Sequence, residues 1–161
     1  MTTRMGIVRP LLALALLAGL ALGAARPAFA GGDWNDSGVK WRPYEEGLAE
    51  AKKAKKPICL IVYTSWCPHC ANYSQVFHDP KVVEKSKQFV MIRLDGDKDK
   101  EPSSKYALDG AYIPRTFFLS SAGVVDKDIH APREQFKYFY DEQNPASVLA
   151  GMDEALKKLK N

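Results

Sequence analysis

Trp66-Cys67-Pro68-His69-Cys70 contains two cysteines separated by two residues, at the point where an apolar run ends. The run before it, residues 58–64, is short and rich in β-branched residues, which predicts a central strand buried on both faces. Pro68 suits the first turn of a helix, where its missing N–H costs nothing. The sequence therefore predicts a strand, a turn and then a helix that begins at Cys67.

The two cysteines have the Cys-x-x-Cys spacing of a redox-active pair. The start of a helix favours an anion through its free N–H groups and its dipole. We therefore expect Cys67 to attack as a thiolate and Cys70, one turn further, to be the shielded thiol that resolves. The prediction is a reversible Cys67–Cys70 disulfide, with Trp66, Pro68 and His69 as modulators of its reactivity.

Two other interpretations of this pair stay open. A zinc site would need two further ligands, and Cys59, His69, His78 and His130 lie at no paired-ligand spacing. A purely structural disulfide is the other alternative, although a bridge that closes so short a loop constrains the unfolded chain little. We expect no metal and no organic cofactor.

Residues 1–30 have the pattern of a cleaved signal peptide. Arg4 and Arg9 give a positive start, an uncharged run of Leu, Ala and Gly follows, and residues 28–30 form an A-x-A cleavage site. The apolar run is too short to span a bilayer comfortably, so we expect no stable membrane anchor. Its removal takes away three arginines, which lowers the formal net charge from +4 to +1. Nucleic acid is therefore not an expected partner.

The mature chain is long enough for one domain, predicted over residues 41–161 after a polar, Gly-rich and flexible segment at 31–40. The predicted elements are a helix that opens at Trp41 to Tyr44, strands at 58–64, 89–94 and 116–119, an edge hairpin strand at 124–129, and a last helix from Pro145. Cys59 lies within the first of these strands and is predicted to be a buried, inert thiol. This order predicts an α/β fold with a central mixed sheet and helices on both faces.

The Cys-x-x-Cys after the first central strand, together with Tyr112-Ile113-Pro114-Arg115-Thr116, resembles the thioredoxin-like superfamily. The resemblance implies a thioredoxin-like fold. It also implies a cis peptide bond before Pro114, facing the cysteines, since proline is nearly the only residue that supports one. Tyr112, Ile113 and Pro114 are then the expected substrate-binding residues, with the Ile113 backbone pairing with an extended client strand.

A nearer resemblance is to the small thioredoxin domain-containing and anterior-gradient proteins of the endoplasmic reticulum. The matching stretches are 44–48, Lys56-Pro57, 65–67, 109–115 and 138–140. Lys56-Pro57 and Phe77-His78-Asp79-Pro80 also resemble bacterial periplasmic thioredoxin-like domains. Because the C-terminus lacks an endoplasmic retention signal, the periplasm is the predicted compartment, ahead of the reticulum lumen.

Ile61 departs from the family pattern, because thioredoxin-like enzymes commonly bury a carboxylate six residues before the first cysteine. Proton transfer from Cys70 must then use water or another group. The predicted function is thiol–disulfide exchange with exported proteins. Pro68-His69 resembles the bacterial periplasmic dithiol oxidase, whereas Ile113 before the proline resembles reducing thioredoxin. Because the dipeptide lies beside the sulfur, we expect the oxidising or isomerising direction. We expect an unidentified redox partner to recycle the cysteine pair. We also expect the protein to be a monomer. The alternative is a client-binding or assembly module in which the cysteines are not the main activity.

Overall fold

The computed structural model describes residues 1–2 and 31–159, so the predicted signal peptide lies outside the described residues except for its first two. The elements in chain order are β1 Trp41–Arg42, α1 Tyr44–Ala54, β2 Ile58–Tyr63, α2 Pro68–Ser74, α3 Pro80–Ser86, β3 Val90–Asp95, α4 Lys100–Lys105, β4 Arg115–Leu119 and α5 Pro145–Leu159. A 3₁₀ turn over Gln75–His78 joins α2 to α3. Within the described ranges, no helix is long and apolar enough to cross a membrane.

The sheet has the strand order β1-β3-β2-β4, in which β1, β3 and β2 are parallel and β4 is antiparallel to β2. Successive side chains of β2 point to opposite faces, so Leu60 enters one core and Ile61 enters the other. Helices α1 and α4 cover the Leu60 face, whereas α2, α3 and α5 cover the Ile61 face. The predicted mixed sheet with helices on both faces is confirmed, and it places the end of β2 directly before the cysteine pair.

Local side-chain chemistry explains where two of the helices begin. The carboxylate of Asp79 accepts hydrogen bonds from the backbone N–H groups of Lys81, at 2.8 Å, and of Val82, at 3.2 Å. Asp79 thus caps α3, and Pro80 occupies its first position, where no N–H is needed. Asn144 does the same before α5, because its side chain accepts from the N–H of Ala146 at 3.0 Å.

Two predicted elements are wrong. Trp41 and Arg42 do not open the first helix but form β1 beside β3, because Pro43 is extended and α1 begins only at Tyr44. The predicted edge strand at 124–129 is a single bridge between Leu119 and Val125. An Asx turn, in which Asp126 accepts from the N–H of Asp128 at 3.0 Å, ends the pairing there.

Residues 31–40, predicted to be a flexible segment, pack against the domain in the structure. Trp34 is 3% exposed and belongs to the core on the α2 face of the sheet. Its indole N–H donates to the Gly31 carbonyl at 2.7 Å, and its ring contacts Tyr73 and Phe77. The burial of this large apolar ring and its contacts with neighbouring rings tie the segment to the core.

Candidate functional site

Cys67 is placed by the end of β2 and the start of α2. It is the residue before the first helical turn, with an extended backbone, and its Sγ accepts a hydrogen bond from the Cys70 N–H at 3.4 Å. Pro68 occupies the next position, as predicted from the sequence. Backbone N–H groups at a helix start stabilise a negative charge on the atom they face. The geometry therefore suits a sulfur that reacts as an anion.

The loop before β4 lies against this sulfur. The Ile113–Pro114 peptide bond is cis, and the Cys67 thiol donates a long hydrogen bond to the Ile113 carbonyl oxygen at 3.9 Å. Pro114 is buried and Ile113 is half-buried. The structure thus brings Ile113 and Pro114 together with the cysteines. A client strand that pairs with Ile113 would have to replace this weak contact.

Tyr112 is occupied in holding the loop. Its hydroxyl donates to the Asp109 carboxylate at 2.7 Å and accepts from the backbone N–H of Tyr138 at 3.0 Å. Burial raises the pKa of Tyr112, so the phenol stays protonated and keeps donating. The predicted role of Tyr112 in binding a client stays a prediction, because these contacts assign it a part in positioning Ile113.

Cys70 is fully buried, whereas Cys67 is 3% exposed. Burial raises the pKa of the Cys70 thiol, and the nearby Cys67 and Glu142 act in the same direction. A backbone hydrogen bond with Thr64 acts in the opposite direction. Ile61, at the position of the missing carboxylate, is fully buried in the apolar core. A shielded, protonated Cys70 fits the predicted division of roles between the two cysteines.

Glu142 is a site residue that the sequence did not reveal. Its carboxylate contacts His69 Nδ1 at 2.9 Å and accepts from the side-chain amide of Asn72 at 3.2 Å. The ring of Phe139 packs edge-on against His69 with the centroids 5.9 Å apart. The loop before α5 therefore fixes the imidazole of His69, which lies between the two cysteines in the sequence. It also places a largely buried carboxylate near Cys70.

Trp66 is the most exposed part of the site. Its side chain is 64% exposed, and its indole N–H donates to the carboxylate of Asp97 at 2.7 Å. A large ring that is held by its polar edge presents an apolar face without losing its orientation. Trp66 therefore leaves an apolar ring face exposed to solvent in a fixed position near Cys67.

The cysteines are all thiols in this structure, so the Cys67–Cys70 disulfide stays a prediction. Among residues 1–2 and 31–159, no three His, Cys, Asp or Glu side chains cluster in a way that could hold a metal ion. The zinc alternative therefore gains no support from the described residues.

Cys59 should resist thiol reagents in the native protein. It is fully buried in the middle of β2, and burial raises the pKa of its thiol, which leaves almost no thiolate at neutral pH. Intact mass after brief exposure of a Cys67→Ser/Cys70→Ser variant to N-ethylmaleimide should show no adduct, and one adduct in denaturant. Rapid labelling without denaturant would contradict this prediction.

Comparison with known proteins adds four likenesses. A family model described as thioredoxin-like matches residues 40–121. The anterior gradient protein 2 homolog of Homo sapiens is 33% identical over 131 residues, which cover 79% of this chain and 71% of that protein. The fold is similar to the solution structure of a thioredoxin from Thermus thermophilus, with a TM-score of 0.59 and 22% identity, covering 75% of this chain and 89% of that one. It is also similar to DsbH oxidoreductase, with a TM-score of 0.55 and 21% identity, covering 88% and 96%. The predicted thioredoxin-like fold is thereby confirmed.

Proposed function

The chain belongs to the thioredoxin-like family, and on that premise we propose that it is a thiol–disulfide oxidoreductase acting on exported proteins. The observation that supports this most is the geometry of Cys67. Its sulfur faces the Cys70 N–H at the start of α2 and touches the Ile113 carbonyl on its other side. A sulfur between an anion-stabilising helix start and a backbone edge that can bind a strand suits disulfide exchange.

In the reducing direction, the Cys67 thiolate attacks one sulfur of a client disulfide. The Cys67–client bond forms, the client disulfide breaks, and the second client sulfur leaves as a thiolate that takes up a proton. Cys70 then loses its proton and attacks the Cys67 sulfur, which forms the Cys67–Cys70 bond and releases the first client sulfur as a thiolate. The oxidising direction is the same sequence reversed, and it needs no metal or organic cofactor.

We propose that the protein works in the oxidising or isomerising direction of disulfide exchange. A pair whose thiolate is stabilised gives up its electrons less readily, so its disulfide is a stronger oxidant. The N–H donors at the start of α2 and the imidazole of His69 are the groups that would stabilise a Cys67 thiolate. A reduction potential measured against glutathione near that of thioredoxin would contradict this direction.

The proposal includes a compartment and partners. The signal-peptide pattern of residues 1–30 and the Ala/Leu-rich run within it support export to a periplasm. The clients are then exported proteins with thiols or disulfides, and a separate redox partner recycles the cysteine pair. We propose a monomer without a membrane anchor.

The test compares wild type with Cys67→Ser in two assays, reduction of insulin and oxidation of a reduced, unfolded substrate. Wild type should be active in at least one assay, and Cys67→Ser should fall to the level of the buffer because the attacking sulfur is gone. Cys59→Ala is the matched control, since it removes a thiol that lies away from the site. Equal activity of wild type and Cys67→Ser would instead favour the client-binding module, which uses the exposed Trp66 surface without the cysteines.

A further inference from the structure

A pocket of about 480 Å³ opens beside the cysteine site on the side of α4. It lies next to both Trp66 and the loop before β4. The residues that matter for its chemistry are Thr64, Trp66, Lys100, Ser103, Ile113 and Arg115. The cysteine chemistry described above makes no use of the polar side-chain groups of Thr64, Lys100, Ser103 and Arg115.

Arg115 is a buried cation with incomplete hydrogen bonding. The residue is 2% exposed, and its Nη1 donates to the Gly110 carbonyl at 2.9 Å, while its Nε–H has no hydrogen-bond partner. The guanidinium lies 5.8 Å from the centre of the Tyr112 ring. The carboxylate that acts on it at longer range, Asp109, is already bound to the Tyr112 hydroxyl and the Lys137 N–H. Burial lowers the pKa of Arg115, as expected of a charge that lacks a direct counter-ion.

Thr64 provides a second unpartnered group in the same pocket. It is 4% exposed, and its Oγ1 has no hydrogen-bond partner. Buried polar groups are rarely left unpaired, and an unpaired one points to a missing ligand or water. Lys100 and Ser103 add an ammonium group and a hydroxyl at the pocket wall. Asp97 also lines the wall, but its carboxylate is engaged by the Trp66 indole N–H.

We propose that this pocket, here called the Arg115 pocket, binds the carboxylate of an acidic client side chain close to the reacting cysteine. A guanidinium, a hydroxyl and an ammonium group form a donor set that suits a carboxylate. The pocket shares Trp66 and Ile113 with the cysteine site, so a client whose sulfur reaches Cys67 runs past its mouth. This inference rests on the proposed function, because it takes the ligand to be part of the same client.

The test uses cysteine peptides that carry a mixed disulfide with 2-mercaptoethanol. One Glu is placed one to three residues before or after the cysteine, and each peptide has a Gln twin. Single-turnover reduction by the prereduced protein gives a rate ratio of Glu over Gln for each position. At the best position, wild type should give a ratio of about tenfold, as expected for a charge-assisted hydrogen bond gained in the complex.

Variants of the pocket residues test whether the Arg115 pocket causes this Glu/Gln rate ratio. Arg115→Gln should lower it to about one, since the guanidinium charge is lost. Arg115→Lys should give an intermediate value, because the charge stays and the planar donor fork is lost. Thr64→Val keeps the shape, removes one donor, and should lower the ratio even if Arg115→Gln does not fold. Lys127→Gln removes a positive charge from an exposed residue outside the pocket and should leave the ratio as in wild type.

A ratio near one at every position in wild type would overturn the proposal, as would a high ratio that Arg115→Gln and Thr64→Val leave unchanged. The same rates are also measured with oxidised glutathione and with its methyl ester. If the carboxylate raises the rate for glutathione and for none of the peptides, the ligand is a small molecule and the proposal is overturned. If no peptide is reduced at all, the proposed function fails separately. Peptides with serine in place of cysteine then decide the pocket alone: tighter binding of the Glu peptide, lost in Arg115→Gln, supports it, and equal binding overturns it.

Discussion

Cys70→Ser should accumulate as a covalent adduct with its client while its catalytic turnover falls to the level of the buffer control. Cys67 keeps its place at the start of α2, next to the Ile113 carbonyl, and can still attack a client disulfide. The second step is lost because serine cannot attack the mixed disulfide. No other described thiol can replace Cys70 in this step, because the remaining cysteine, Cys59, is fully buried inside β2.

Non-reducing gels and intact mass after incubation with an oxidised client should show an adduct that dithiothreitol removes. The Cys67→Ser/Cys70→Ser variant should give no adduct, because the remaining thiol is buried, and Cys59→Ala in the Cys70→Ser background should give the same yield as Cys70→Ser. An adduct on Cys70 in the Cys67→Ser variant, at a yield comparable to that of Cys70→Ser, would reverse the roles assigned to the two cysteines.

The part of the site that was predicted without the family resemblance consists of short, local patterns. Cys67-Pro68-His69-Cys70 contains the cap, the first helical residue and the second cysteine within one turn, so its geometry follows from helix rules alone. Strands β2 and β3 were predicted to within one residue at each end, because each is a largely apolar run, interrupted in β3 by Arg93, next to charged or turn-forming residues.

The part that the sequence did not predict depends on contacts between distant segments. Glu142 meets His69 across 73 positions of the chain, and a single glutamate in a polar loop carries no pattern that announces a partner. Arg115 lies two residues before the apolar run Phe117-Phe118-Leu119, and this position does not by itself show that a charged side chain is buried. Which pocket such a residue lines depends on α4, which lies ten positions earlier.

The N-terminal segment shows the same limit. Residues 31–40 are polar and glycine-rich on average, and this composition predicted a flexible segment. The average composition gives no sign that Trp34 is buried. The Trp41 indole N–H donates to the Trp34 carbonyl at 2.8 Å, so the chain bends back before β1. Arg93 lies 5.9 Å from the centre of the Trp34 ring and pairs with Asp36, which holds the segment from outside. Buried Trp34 and Val39, together with these contacts, therefore tie the segment to the core.

Trp34→Ala should lower the free energy of unfolding by about 3–5 kcal/mol, the usual range for truncating a buried aromatic side chain to alanine. The variant loses both the burial of apolar surface and the edge-to-face ring contacts with Tyr63 and Tyr73. Tyr73 lies on α2, the helix that begins at the cysteine pair. Denaturant titration followed by circular dichroism measures it, with Trp34→Phe as the matched control, which keeps most of the ring and should lose clearly less. Since Tyr73 loses a neighbour, hydrogen exchange of the α2 amides should also become faster in Trp34→Ala than in Trp34→Phe. A loss below about 1 kcal/mol, within the range of ordinary surface substitutions and small defects, would mean that residues 31–40 contribute little to the core.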